Sequence, residues 1–151
     1  MDLQLKDRTA LVTGGSKGIG ASIVRQLAKE GAKVIFCARP SPAMAALELE
    51  VRATGGVCKA MPVDVLDVDG VRKLVNDAAE YWGGLDILVN NVGGAIKFGG
   101  FDELSDEDWM RAYEFNVMSM VRFSRAALPY LRQSESKRII NISSISGSQP
   151  G

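Results

Sequence analysis

Histidine is missing from all 151 residues, and its absence removes whole classes of chemistry. Ser-His-Asp hydrolysis, Cys-His catalysis and His-based zinc sites each need an imidazole in the chain. Cysteine is almost as scarce: Cys37 and Cys58 stand alone, each inside an apolar segment and without C-x-x-C spacing. Buried free thiols are therefore expected, not a disulfide or a metal centre. Net charge is absent as well. The 18 Lys and Arg balance 18 Asp and Glu, so no overall field draws nucleic acid or an anionic membrane surface. No apolar run approaches the roughly 18 residues of a membrane span, and Met1 to Lys6 lacks the apolar core of a signal peptide. The expectation is a cytoplasmic chain with no nucleic-acid, membrane or metal partner. Its length suits one domain, since a chain of this size buries roughly 70% of its unfolded surface.

What is present is a regular alternation of short apolar segments with helical periods, the pattern of repeated βαβ units on a parallel sheet. Strands are expected at Thr9 to Val12, Lys33 to Cys37, Val57 to Pro62, Leu85 to Val89 and Arg138 to Ile142. Between them, one helix carries Ile19, Ile23, Leu27 and Ala28 on its inner face and stops at Gly31. A second, Ala43 to Ala53, turns Met44, Leu47 and Val51 inward. A third is capped by Asp67 and buries Val71, Leu74, Val75, Ala78 and Trp82. Ser105 with Asp108 three positions on reads as a capping box opening a long helix through Trp109, Tyr113, Asn116, Val117, Met120 and Phe123. Pro129 is expected to kink that helix or end it early. The fold class is α/β, a doubly wound parallel sheet of the Rossmann type forming a single domain over residues 1–151.

Thr13 to Gly20, Thr-Gly-Gly-Ser-Lys-Gly-Ile-Gly, joins the first strand to the first helix. Glycines there let backbone N–H groups approach an anion, while the first N–H groups of a helix lack internal partners and carry the positive end of its dipole. A dinucleotide pyrophosphate fits such a turn. Asp64, Asn90 and Ser144 also fall at carboxyl ends of expected strands, the rim where ligands of doubly wound sheets sit. Each has a plainer reading. Asp64 could cap a turn, Asn90 and Asn91 could be turn residues, and Asn116 could belong to a solvated helix face.

Taken in order, these motifs resemble the short-chain dehydrogenase/reductase family, in its keto-reductase form, over nearly the whole chain. The matching segments are Thr13-Gly14-x-x-x-Gly18-x-Gly20, Asp64-Val65, Leu88-Val89-Asn90-Asn91-Val92-Gly93, the helix from Trp109 to Asn116, and Ile140 to Gly147. Val92 departs from the usual alanine. The resemblance implies cofactor contacts from Thr13, Gly14, Ser16, Lys17, Gly18, Ile19, Gly20, Asp64, Val65, Asn90 and Gly93. It also implies that Ser144, chosen by its spacing from Gly147, orients the substrate oxygen, and that the Asn116 side chain disturbs its helix and helps hold a catalytic lysine through water. A homodimer or homotetramer is implied too, with residues 106–128 as a contact, although the same apolar stripe could simply be core.

The end of the second strand bears on the cofactor. It runs Phe36-Cys37-Ala38-Arg39, without the acid that serves a free ribose 2'-hydroxyl. Arg39 there and Lys17 in the glycine turn can pair with a 2'-phosphate. Either alone could be an ordinary surface charge; together they point to NADP(H) over NAD(H). The proton donor implied by the resemblance is a Tyr-x-x-x-Lys pair. Tyr81, Tyr113 and Tyr130 are followed four residues on by Leu85, Val117 and Ser134, so none supplies it. By family spacing the tyrosine is expected roughly thirteen residues after Ser144, past Gly151. Two expectations follow: a parent reductase of about 250 residues whose acid lies beyond Gly151, or a short dinucleotide-binding form without turnover. In either case strand five is expected to be a bare edge.

Overall fold

The computed structural model describes residues 3–145. Five strands, β1 (Thr9–Thr13), β2 (Lys33–Ala38), β3 (Val57–Pro62), β4 (Ile87–Asn90) and β5 (Arg138–Asn141), form one sheet in the order β3-β2-β1-β4-β5, with every pairing parallel. The chain winds outward from β1 to β3, returns to the centre at β4 and continues to β5. The order therefore reverses between β1 and β4, where their carboxyl ends leave a crevice.

Alternation along the strands explains why both faces are covered. Ala10, Val12, Val34, Phe36, Ile87 and Val89 face α1 (Gly18–Lys29) and α2 (Pro42–Ala53), packing on Val24, Ala28, Met44, Leu47 and Val51. Leu11, Ile35, Cys37 and Leu88 face α3 (Val68–Tyr81) and α5 (Ser119–Leu131), packing on Val71, Leu74, Val75, Phe123, Ala127 and Leu131. Central strands therefore read as near-continuous apolar runs, as parallel sheets buried on both sides require. Each large side chain buried this way contributes roughly 1.5–3 kcal/mol.

Local signals operate where expected at several ends. The Asp67 carboxylate accepts from Gly70 N–H at 3.0 Å, and Ser105 with Asp108 forms a reciprocal capping box at the start of α4 (Asp106–Tyr113). Burial holds both thiols pushed up to about 12, as inert core groups.

Ile19 and the start of β4 depart from expectation, each for a local reason. Ile19 is 64% exposed, because the inner face of α1 is set by Gly20, Ala21, Val24 and Ala28. Small residues there let the helix approach the sheet closely. Leu85 and Asp86 precede β4 instead of joining it: the Asp86 carboxylate accepts from Thr9 N–H (2.8 Å) and from the Ser134 hydroxyl (2.5 Å), tying strand amino ends together. The long helix is disturbed at Asn116, as the resemblance implies. A π-helical segment, Glu114–Met118, separates α4 from α5, and Trp109 and Tyr113 lie half exposed on α4. Pro129 does not stop α5, which continues to Leu131. The Leu128 carbonyl still accepts from Arg132 N–H, Leu131 is buried, and the Tyr130 hydroxyl bonds Asn76 at 3.0 Å, so packing outweighs the lost backbone bond. Among the described residues the bare edge is present: all four residues of β5 are exposed, and β5 pairs with β4 alone.

Candidate active-site rim

The turn after β1 is shaped by contacts on three sides. Gly14 holds φ +66°, a left-handed conformation that favours glycine. Gly15 lies against Phe36, so close that a Cβ there would sit 2.5 Å from the Phe36 Cβ. Its N–H donates to the Cys37 carbonyl at 3.1 Å, hanging the turn from the end of β2. Gly20, in the first turn of α1, abuts the Gly14 carbonyl: a Cβ would come within 2.2 Å of that oxygen.

Gly18 differs from the other three. It holds φ +55°, yet an added Cβ would meet nothing within 4 Å. Its requirement is conformational on the protein side, and the space above it is open. The first helical bond of α1 is Ala21 N–H to the Lys17 carbonyl, and Lys17 at the N-cap makes no side-chain capping bond. The N–H groups of Gly18, Ile19 and Gly20 thus lie ahead of that bond, at the positive end of the helix. An open space ringed by unpaired donors fits a phosphate group.

The turn is locked to the neighbouring strand by Asn91. The Thr13 hydroxyl, 2% exposed, accepts from the N–H groups of Asn91 (3.0 Å) and Val92 (3.2 Å). In return Asn91 Nδ2 donates to the carbonyls of Thr13 (3.0 Å) and Gly14 (3.1 Å). Four bonds thus fuse the carboxyl ends of β1 and β4 across the crevice. A signal for this existed in the sequence, a Thr and an Asn at the ends of two adjacent strands, but the pairing requires the strand order.

Asn90 points inward. Its Nδ2 donates to the Ser124 hydroxyl (3.1 Å) and to Asn141 Oδ1 (2.8 Å), linking β4 to α5 and to β5. Its Oδ1 is buried with no partner among the described residues. At the far side Asp64 is exposed and makes an Asx turn, accepting from Leu66 N–H at 3.0 Å, while Val65 is buried. The plainer reading of Asp64 is therefore realised in its own turn, which leaves its position on the rim unchanged. Lys17 and Arg39 are exposed, and neither has an ion pair among the described residues. Ser16 is half-buried within the turn.

Asn116 sits inside the π segment, and its amide is fully engaged. Gly94 N–H donates to Oδ1 (2.8 Å), while Nδ2 donates to the carbonyls of Gly94 (3.0 Å) and Ala112 (2.8 Å). Gly93 packs beside it, with a Cβ placed there only 3.0 Å from Oδ1. A mid-helix asparagine that bonds the carbonyl four residues back competes with the regular ladder. Ser119 does the same toward the Phe115 carbonyl, so two side chains serve backbone groups that the wider π turn releases. Ser144 is exposed just past the carboxyl end of β5, on the same rim. Gly147 lies outside the described residues.

This arrangement carries a family assignment. The family model described as short chain dehydrogenase matches residues 8–151. The chain belongs to the short-chain dehydrogenase/reductase family. Members bind nicotinamide cofactors and act as oxidoreductases. A 3-oxoacyl-[acyl-carrier-protein] reductase of rhamnolipid biosynthesis from Pseudomonas aeruginosa is 38% identical over 148 residues, covering 95% of this chain and 57% of the relative. A short chain dehydrogenase from Burkholderia cenocepacia, solved in complex with NADP, superposes with TM-score 0.90 at 36% identity, covering 97% of this chain and 59% of that one. An NADH-dependent reductase of alginate metabolism superposes with TM-score 0.91 at 28% identity, covering 98% and 63%. The chain spans about half the length of the curated relatives it matches. Among the described residues of this short-chain dehydrogenase/reductase, no helix is long and apolar enough to cross a membrane and no cluster of side chains suits a metal ion.

Proposed function

We propose that this chain is the cofactor-holding half of an NADP(H)-dependent reductase that moves hydride between a nicotinamide and a carbonyl or secondary alcohol. The observation that carries the reading is the turn at Gly18. It is open to ligand, ringed by the unpaired N–H groups of α1, and flanked by Lys17 and Arg39 with no acidic residue at the end of β2. The nicotinamide cofactor supplies or accepts the hydride. The chain's own residues bind and orient. N–H groups of the turn take the pyrophosphate, and Lys17 with Arg39 pair with a ribose 2'-phosphate that a carboxylate would repel. The Ser144 hydroxyl orients the carbonyl oxygen, where negative charge grows as hydride arrives. Asn116, gripping Gly94, fixes the floor of the proton relay.

The proton itself needs a donor, and no tyrosine here is followed four residues later by lysine. Without a general acid the rate drops by about 10² to 10⁴, so the 151-residue polypeptide is expected to bind cofactor and turn over poorly. The alternative reading is a dinucleotide-binding form without catalysis. A Tyr-x-x-x-Lys shortly after Gly151 in the parent gene would decide for the enzyme. A homodimer or homotetramer formed in the cytoplasm, with α4 and α5 as contact, completes the proposal.

Titration with NADPH and NADH, followed by nicotinamide fluorescence, tests the cofactor assignment. Neutralising both Lys17 and Arg39 should weaken NADPH binding by an order of magnitude or more and leave NADH nearly unchanged, since two charge-assisted contacts are lost. Unchanged affinity for both nucleotides would refute the assignment.

A further inference from the structure

The segment after β4 is held down along its length by groups that the cofactor reading leaves unused. Gly94 is gripped by Asn116. Lys97 Nζ lies 2.6 Å from Asp108 Oδ2, the same oxygen that accepts from Ser105 N–H at 3.1 Å in the capping box. Phe101 meets Trp109 edge to face, with ring centroids 6.3 Å apart. The Glu103 carboxylate accepts from Gly100 N–H at 2.7 Å, stiffening the return. Positions 108 and 116 are separated by about 12 Å of helix. The three steps from Gly94 to Lys97 provide at most about 10 Å of chain. The stretch covers that distance with a bend at Ile96, the lysine side chain completing the reach. Beneath it lies a cleft of about 190 Å³, walled by Ala95, Ile96, Leu104 and Trp109, with Lys97 and Asp108 bordering it.

We propose that the Lys97–Asp108 ion pair is the outer latch of a strap, residues 94 to 104, that lies over α4 and is tied separately at its rim end by the Asn116 grip on Gly94. Asp108 serves two duties with one oxygen, so the latch and the start of α4 are set together. Lys97 has one duty. It is half exposed, whereas the Asp108 side chain is 18% exposed. Releasing the lysine frees the outer tie and leaves the capping box and the Asn116 grip in place. Lys97 is thus a positioning residue for the outer part of the strap. Its bearing on a substrate rests on the function proposed above, but the strap stands on geometry alone.

Lys97→Met and Lys97→Arg, made in a Trp82→Phe background that leaves Trp109 as the sole tryptophan, test the latch. Phe98 and Phe101, 90% and 86% exposed, offer chymotrypsin two reporter sites in the strap. Cleavage after them should accelerate roughly two- to fivefold in Lys97→Met, the range an exposed ion pair can hold, and acrylamide quenching of Trp109 should rise. Lys97→Arg should restore both. Raising salt from about 0.05 to about 1 M should speed cleavage of the parent and the arginine variant but not the methionine variant, since screening acts on a charge pair. Lys97→Met matching the parent in cleavage and quenching, or Lys97→Arg behaving like Lys97→Met, would overturn the proposal. None of these readouts uses a nucleotide, so failure of the parent protein to bind NADPH would sink the proposed function and leave the latch standing.

Discussion

Replacing Gly20 by alanine sets two effects of opposite sign against each other at one atom. By helix propensity alone the change should stabilise α1 by about 1 kcal/mol, because glycine is that much poorer than alanine inside a helix. The structure opposes it. The new Cβ would stand 2.2 Å from the Gly14 carbonyl oxygen and 2.5 Å from Asn91 Nδ2. To reach 3.0 Å, below which real Cβ atoms essentially never come, the carbonyl must retreat by about 0.8 Å and the amide by about 0.5 Å. Those two groups are bonded to each other, and Asn91 also holds Thr13. Overpacking of this kind costs roughly 1–3 kcal/mol, and loosening two hydrogen bonds adds about 1 kcal/mol each. The net expectation is destabilisation of about 2–4 kcal/mol. Gly18→Ala is the matched control. Its Cβ meets no protein atom, so stability should fall only by the left-handed strain of roughly 1–2 kcal/mol, whereas NADPH affinity should drop sharply because the methyl enters the open space. Urea denaturation gives the stabilities and nucleotide titration the affinities. A Gly20→Ala protein as stable as the parent, or a Gly18→Ala protein with undiminished NADPH affinity, would refute the account of the turn.

Other outcomes follow from single contacts. Thr13→Val keeps shape but removes the hydroxyl that accepts from Asn91 and Val92; leaving two donors short in a buried site should cost roughly 1–3 kcal/mol in denaturant unfolding. Phe123→Ala opens a cavity between α5 and the sheet where the ring is 1% exposed, at a cost of about 3–5 kcal/mol. Neither Cys37 nor Cys58, with thiols near 12, should react with Ellman's reagent at neutral pH in the native protein, and both should react in guanidinium. Asp108, held below the usual carboxylate range by Lys97 and by Ser105 N–H, should keep its stabilisation in full above the unfolded-state value and lose it progressively as pH falls from there through the lower native value. Protection against amide exchange at the first turn of α4 should therefore hold above ordinary aspartate titration and decline as pH falls through it and below.

Much of the architecture was legible because parallel strands buried on both faces leave a strong mark. Leu11-Val12 and Val34-Ile35-Phe36 had no polar position to confuse them, and the caps at Asp67 and Ser105 have local chemistry that operates without tertiary help. Ile19 was misread because an apolar residue at the right helical phase looks inward, while the close approach was made by Gly20 and Ala21. The break at Asn116 was legible only as a cost. That its amide would bind Gly94 depends on the path of the strap, which carries no periodic signal. Leu85 and Asp86 looked like the start of a strand because the apolar run includes them, but the Asp86 carboxylate is drawn to Thr9 and Ser134, partners 77 and 48 positions away.

The lock between Thr13 and Asn91 has a consequence for how the protein forms. Its partners are 78 positions apart in sequence, so it can close only after β2, β3 and α3 have been made and β4 has found its place beside β1. Bringing such distant segments together is the slow part of a fold. A partly folded chain containing β1 to β3 alone would have the glycines of the turn but not the clamp that sets their carbonyls. Any ligand of that turn should therefore bind late, selecting molecules in which the central crevice is finished, and should raise the apparent stability of those molecules alone. The turn, made before the strands that complete it, becomes competent only once they are in place.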